Sequence, residues 1–475
     1  MEEMRFVFGK KGRMGRVDFY RPGGYGFVTE KERLAQEELR IFELNSGFDV
    51  PYWYRGERIT FIRQGDDGCY VDSDKLTGEL WERDGSAQGG EQRRIPLCFK
   101  ATMPEAGNYE VHVLLKAAVD EPEVLLFMGR RHLVWKGSMR AGECVRRKAM
   151  VNVCDVIPNG RTGAYEDRTL DLALVGKCPI LQEIYVTRAD CPTVYMAGDS
   201  TMADYGAEYP YHPSACYGGW GQAFDAWLNG DIAVCNQAHN GRTTESFRAE
   251  GHYEIVMKAI RPGDYFMMQF GHNDQKHGHL QAWGGYRDNL KRFIEEIREK
   301  GAYPVLLTPI ARNTWQEEAG KPEYNDLLYE HAEACIRIGA ETGVPVLDLH
   351  GDSMEDIRKL GREASKAYYH ADDWTHTNDN GAYRAAGYVA GELREMETAF
   401  PEYRPLAESV GEGFGEWMPS PGTLPLVKPE RLAHMEDSVE EADSEAERNH
   451  QAEKDGAGLQ ELVGLAKAKR RQNLC

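Results

Sequence analysis

The sequence predicts two folded units in succession: an all-β sandwich over residues 1–190 and an α/β unit, its parallel sheet covered by helices on both faces, over residues 191–402. Three observations predict them. Short apolar stretches with two-residue alternation fill the first part, separated by turn signals and uninterrupted by any long helical pattern. From Cys191-Pro192 onward, short buried strands alternate with amphipathic helices, the pattern of a doubly wound sheet. After about Glu402 the chain turns Gly- and Pro-rich, then acidic, and both patterns stop.

In the first unit, Tyr109-Glu-Val-His-Val-Leu-Leu alternates polar and apolar residues behind the turn Pro104-Glu-Ala-Gly-Asn108. Further strands are expected at Val124 to Met128, His132 to Trp135, Ala149 to Val153, Thr169 to Leu174 and Ile184 to Thr187. That spacing is typical of a sandwich.

In the second unit Val194-Tyr-Met-Ala197 reads as a buried strand, followed by a helical stretch around Trp220 to Leu228 and a strand at Ile232 to Cys235. Tyr265 to Phe270 is the next strand. The helix expected from Tyr286 to Lys300 carries Leu290, Phe293, Ile294 and Ile297 as one apolar stripe. A strand at Pro304 to Thr308, a helix from Asn325 to Glu341, a strand at Val344 to Leu349 and a helical pattern from Gly381 to Leu393 complete the series. Sites in such sheets lie at the carboxyl ends of the strands.

Residues 403–475 are expected to be a linker, rich in Gly and Pro between Gly411 and Pro425, and an acidic tail. Glu436 to Asp455 has almost no large apolar residue, a composition that favours disorder. The formal net charge of −20 disfavours nucleic acid and anionic membranes as partners. No run of about 18 apolar residues is present, and Met1-Glu-Glu-Met-Arg-Phe has neither part of a signal peptide, so a cytoplasmic protein is expected. Ten cysteines without C-x-x-C or regular spacing read as reduced, mostly buried thiols.

Four segments carry chemistry. Gly198-Asp199-Ser200-Thr201 follows the first strand of the α/β unit, where a serine hydroxyl at a strand-to-helix junction would be exposed. Alone it is also ordinary turn chemistry. Asn236-Gln-Ala-His-Asn-Gly241-Arg-Thr-Thr-Glu-Ser follows the second strand; its glycine lets the backbone approach a ligand, although a capped β-to-α loop explains the segment as well. Gly271-His272-Asn273-Asp274-Gln275 crowds polar residues against a buried strand, which is costly unless they are hydrogen-bonded or functional. His277 and His279 nearby match no zinc pattern, so no metal is expected there. Asp373-Trp-Thr-His376-Thr377 sets a carboxylate three residues before an imidazole, a spacing that can fix the ring tautomer; Asp372 is the less favourable partner.

Taken together, in the order Ser, Gly, Asn, Asp-x-x-His, these segments resemble the conserved blocks of the SGNH (GDSL-like) hydrolases. Gly-Asp-Ser-Thr, Asn-Gly-Arg-Thr, Phe-Gly-His-Asn-Asp and Asp-x-Thr-His-Thr look most like the rhamnogalacturonan acetylesterases, over roughly Thr193 to Glu395. The resemblance implies a flavodoxin-like three-layer α/β/α fold and a serine esterase without metal or organic cofactor. It implies Ser200 as nucleophile, His376 as general base and Asp373 as its orienting acid. The oxyanion hole would be the amides of Ser200 and Gly241 with the side chain of Asn273. Trp374 departs from the pattern as a bulky residue inside the last block; it would wall the pocket or stack on a sugar, though core packing explains it equally well. Gly24-Tyr-Gly-Phe27, Ile95-Pro-Leu-Cys-Phe-Lys-Ala-Thr-Met-Pro104 and Gly107-Asn-Tyr109 look, more loosely, like a galactose-binding-like sandwich, which would bind carbohydrate or only pack against the catalytic unit.

The expected reaction is removal of acetyl groups from pectic, rhamnogalacturonan-type oligosaccharides. Net negative charge argues gently against a polyanionic substrate, but screening beyond about 8 Å weakens the objection and Arg242 would supply local positive charge. The rivals are an esterase for xylan or other small acyl esters and an inactive carbohydrate-binding protein. The complete set of Ser200, Gly241, Asn273, Asp373 and His376 counts against the second.

Overall fold

The computed structural model describes residues 3–9, 20, 23–27, 62–72, 96–129, 132–157, 163–205, 217–370 and 373–412. The acidic tail and Asp372 therefore lie outside the described residues. Up to Arg188 the described elements are strands: β1 (Met4–Val7), β2 (Tyr25–Phe27), β3 (Ile62–Gln64), β4 (Cys69–Val71), β5 (Leu97–Thr102), β6 (Gly107–Ala117), β7 (Glu121–Met128), β8 (His132–Met139), β9 (Cys144–Val153), β10 (Thr169–Val175) and β11 (Pro179–Arg188). On β6 the alternation is strict, with Val111, Val113, Leu115 and Ala117 fully buried. They meet Leu126 of β7 and Leu172 of β10 in one core between two facing sheets. One sheet runs β2-β5-β10-β7-β8.

The other sheet holds the functional half as well. After β11 come β12 (Thr193–Gly198), β13 (Ala233–Asn236), β14 (Tyr265–Gln269), β15 (Tyr303–Leu307), the exposed hairpin β16 (Trp315–Glu318) and β17 (Lys321–Tyr324), and β18 (Val346–Leu347). The helices are α1 (Trp220–Ala223), α2 (Ser246–Ala249), α3 (His252–Ala259), α4 (Arg287–Glu299), α5 (Tyr329–Thr342), α6 (Leu349–Ala364), α7 (Asp379–Ala399) and α8 (Arg404–Glu408). Strands β13-β12-β14-β15-β18 pair in parallel. Counted from β12 their order is 2-1-3-4-5, the doubly wound order of flavodoxin-like sheets. Alternate side chains leave opposite faces: Val194, Met196, Tyr265 and Met267 join Trp220 and α7, while Tyr195, Ala197, Phe266 and Met268 join α3, α4 and α5. Burying each large apolar side chain contributes about 1.5–3 kcal/mol. The α4 stripe of Leu290, Phe293, Ile294 and Ile297 is wholly buried on the second face.

Three features differ from a parallel sheet bounded at residues 190 and 402. The sheet is mixed and continuous: β13 pairs in parallel with β9 through Val234 and Val151, and β9 then runs antiparallel to β6. The outer face of the five-stranded sheet packs Leu125, Phe127 and Leu133 against Ala226 and Tyr383. The fold also continues past Glu402, because α8 buries Leu406 and Val410 bridges back to Leu228. Among the described residues no helix is long and apolar enough to cross a membrane, and the eight described cysteines form no disulfide.

Candidate active site

Ser200 follows β12 directly, at the point where the strand order reverses between β12 and β14. It opens a single turn rather than the helix expected there: the amides of Met202 and Ala203 both donate to Asp199 O. The Asp199 side chain explains this. Its Oδ1 accepts from the Thr201 amide at 2.9 Å and the Thr201 hydroxyl at 2.8 Å, an Asx-type turn that competes with helix. Among the described residues the next helix begins at Trp220, entered through Gly219, where any Cβ would sit 2.2 Å from Ala203 O.

His376 reaches the serine from the far end of the chain. Its Nε2 lies 2.8 Å from Ser200 Oγ, and its Nδ1 lies 2.7 Å from Asp373 Oδ2. The other oxygen of Asp373 accepts from the amides of Thr375 (2.7 Å) and His376 (3.0 Å), so the acid shapes the loop it serves. Burial alone would raise the Asp373 pKa; these amides and the imidazole outweigh it and hold the carboxyl below its ordinary value. Asn378 then caps α7 by accepting from Gly381 N at 2.9 Å.

The loops after β13 and β14 are tied together. Asp274 Oδ1 accepts from the Thr244 amide (2.9 Å) and hydroxyl (2.6 Å), while Oδ2 accepts from Gly271 N at 3.2 Å. Burial pushes the Asp274 carboxyl up to about 6. Gly241 sits exposed in a turn at φ +76°, a left-handed conformation that favours glycine. Asn273 Nδ2 donates to Arg242 O at 3.0 Å, which leaves its second N–H for another acceptor. Behind the serine, Asp199 Oδ2 faces His272 Nδ1 at 3.2 Å. Burial opposes charge on Asp199, but His272 and the two Thr201 bonds prevail and keep its pKa low. Arg312 braces this side, donating to His272 O at 3.1 Å and to the Thr375 hydroxyl.

The structure thus brings Ser200, Asp373 and His376 into one chain of hydrogen bonds, with Gly241 and Asn273 on linked loops beside it. Arg242 is placed differently. Its guanidinium pairs with Glu250 and its Nε donates to Asn240 O, so the positive charge is already engaged within its own loop. Trp374 is 57% exposed, outside the core, and its carbonyl accepts from Asn313 N at 2.8 Å. Tyr217 lies edge-on to His376, with 5.7 Å between ring centroids, and stacks on His370 at 3.7 Å. Asp199, His272 and Asp274 were within the motifs quoted from the sequence, but the pairings of Asp199 with His272 and of Asp274 with Thr244 join residues remote in sequence. Among the described residues no group of three or more His, Cys, Asp or Glu is arranged to hold a metal ion.

Residues 196–384 match the GDSL-like Lipase/Acylhydrolase family. A probable rhamnogalacturonan acetylesterase of Bacillus subtilis, YesY, is 32% identical over 225 residues, which span 46% of this chain and 96% of that protein. The chain belongs to the GDSL-like family. A second relative, the B. subtilis rhamnogalacturonan acetylesterase RhgT, is 33% identical over 216 residues, spanning 43% of this chain and 90% of its own. Among solved structures, the B. subtilis YxiM protein aligns with 83% of this chain and 99% of its own, at 21% identity and a TM-score of 0.41. Membership of the GDSL-like family makes the chain an esterase.

Proposed function

We propose that the chain is a carbohydrate acetylesterase that removes O-acetyl groups from pectic, rhamnogalacturonan-type oligosaccharides by a serine acyl-enzyme route. The observation that carries this reading is the Ser200–His376–Asp373 chain, with contacts of 2.8 and 2.7 Å, at the carboxyl edge of the sheet. His376 Nε2 takes the Ser200 proton as Oγ attacks the acetyl carbonyl. The amides of Ser200 and Gly241 and the free N–H of Asn273 stabilise the oxyanion; one such donor is typically worth about 10²–10³ in rate. His376 returns the proton to the departing sugar hydroxyl, and water then attacks the acetyl-serine through the same base. The names of the two relatives support the pectic substrate. The N-terminal sheets are, on this reading, a galactose-binding-like sandwich that packs against the catalytic unit.

A panel of acetylated rhamnogalacturonan oligosaccharide, acetylated xylan and a chromogenic acetate tests the substrate. The highest kcat/KM is expected on the rhamnogalacturonan fragment; a preference for xylan would replace the pectic reading with its rival.

A further inference from the structure

Beside Asn273 stands a cation that the reaction as written does not use. We propose that Lys276 is a positioning residue for the oxyanion hole: its ammonium holds the Asn273 carboxamide by the oxygen, which fixes the Asn273 N–H groups and strengthens them as donors. This deepens the esterase reading and rests on Asn273 being an oxyanion donor.

The contact follows from the local sequence Gly271-His-Asn-Asp-Gln-Lys276, which leaves β14 and turns at once. Gly271 sits at φ +134°, a conformation that favours glycine. The Gln275 amide donates to Gly271 O at 3.1 Å and the Lys276 amide to Asn273 O at 3.0 Å, and Asp274–Lys276 forms a 3₁₀ turn. With three residues per turn, side chains at i and i+3 lie one above the other. Asn273 and Lys276 have that spacing, and Lys276 Nζ donates to Asn273 Oδ1 at 2.7 Å. The turn itself is anchored, because Asp274 accepts from Thr244 and from the Gly271 amide.

Asn273 is buried, and its carboxamide has a partner at each end: the oxygen accepts from Lys276, and Nδ2 donates to Arg242 O at 3.0 Å. Turned over, the same group would aim N–H at an ammonium and oxygen at a carbonyl, so both neighbours select one orientation. In that orientation the second N–H of Nδ2 is left for the oxyanion. Arg242 directly follows Gly241, so the tether also sets Asn273 beside the loop that carries the other backbone donor. A cation on an amide oxygen draws charge from the nitrogen, which makes the N–H a stronger donor, and bonds in a chain polarise one another. A donor already held in place needs no rearrangement as charge appears on the substrate. Among the described residues no carboxylate lies within 4.0 Å of the Lys276 ammonium, so a salt bridge does not account for its placement.

A double-mutant cycle tests the proposal in the full chain, using Lys276→Met, Asn273→Ala and the two combined, with Lys276→Arg as the conservative variant. Two rates are read: kcat, with KM, on a chromogenic acetate, and the rate of Ser200 labelling by a serine-directed fluorophosphonate, followed by intact mass. Lys276→Met is expected to lower kcat and the labelling rate about three- to tenfold, the size of one net hydrogen bond, with KM within about twofold. Lys276→Arg keeps a charged donor and should retain at least about half of kcat. In the Asn273→Ala background Lys276→Met should add less than about twofold, because it acts through that carboxamide. Full activity of Lys276→Met, an equal loss in both backgrounds, a loss confined to KM, or a Lys276→Arg no faster than Lys276→Met would overturn the proposal. A melting temperature lowered by more than about 5 °C in both Lys276 variants would make the side chain a stability element and overturn it too. Wild-type kcat in Asn273→Ala would remove Asn273 from the oxyanion hole, and the proposal with it. Ser200 labelled in the wild type without acetate release would sink the esterase reading alone, since the labelling cycle still reports on Lys276.

Discussion

Asp373 and His376 are three residues apart and meet side to side, Oδ2 to Nδ1 at 2.7 Å, while Asp373 Oδ1 accepts from the amides of Thr375 and His376. One carboxylate therefore sets both the loop and the imidazole. Asp373→Asn puts an N–H where the ring needs an acceptor and favours the wrong tautomer. It is expected to lower kcat by between about 10² and 10⁴ with little change in KM. The native carboxyl, held below its ordinary pKa, stays ionised throughout the neutral range. A loss under about tenfold in steady-state kinetics would remove Asp373 from the mechanism.

Ser200→Ala is expected to abolish hydrolysis, by about 10⁴-fold or more, while leaving the melting temperature within a degree or two. The side chain is small and the Asp199–Thr201 brace that shapes the turn does not include it. Mass mapping after organophosphate treatment should find the label on Ser200 and nowhere else.

How much of this was legible in the sequence depended on period and on distance. Strands β6 to β11 showed because their alternation is local, as on β6, whereas β1 to β5, most of them only three or four residues long, were not read as strands. The hairpin β16–β17 did not, since Gln316, Glu317, Glu318 and Lys321 leave no apolar face to detect. The helix read from Asn325 begins only at Tyr329, because Thr314 O binds the Asn325 amide and Asp326 caps Leu328 N. Helix α6 was missed; Gly351 and Gly361 break its pattern, and its first residue, Leu349, had been read as strand. At the site, the serine, the acid and the base stood out as residue types in order. Their braces did not: the partner of Asp274 is Thr244, thirty residues earlier, and the ring that faces Asp199 is His272. Such pairings are set by the fold and leave no local period.

Asp352 on α6 and Glu392 on α7 are buried together, with Asp348 close by. Burial, and then the Asp348 charge, raise the Asp352 carboxyl to about 9, and burial likewise raises Glu392. An acid whose folded pKa exceeds its unfolded value of about 4 binds more protons when folded, so stability falls as pH rises through that window. Asp352→Asn removes one ionisation without changing shape. Its melting temperature should match wild type near about pH 5 and exceed it near about pH 9. Melting curves that shift equally at both pH values would show that the pair does not share this burden.

Trp374 stands 57% exposed between the acid and the base, and Tyr217 stands 36% exposed on the His376 side. Neither ring fills the core, and the Trp374 backbone is held by the Asn313 amide. A flat apolar face on the loop that carries the acid and the base suits the apolar face of a sugar ring. Such a contact acts in binding and reaches only substrates large enough to cover it. Trp374→Ala should therefore raise KM for acetylated oligosaccharide about tenfold, equivalent to about 1.4 kcal/mol, with kcat nearly unchanged. For a small chromogenic acetate the same substitution should shift KM less than about twofold, because that ester ends before the indole. Equal KM shifts on both substrates would mean that the indole shapes the loop carrying Asp373 and His376 instead of holding the sugar.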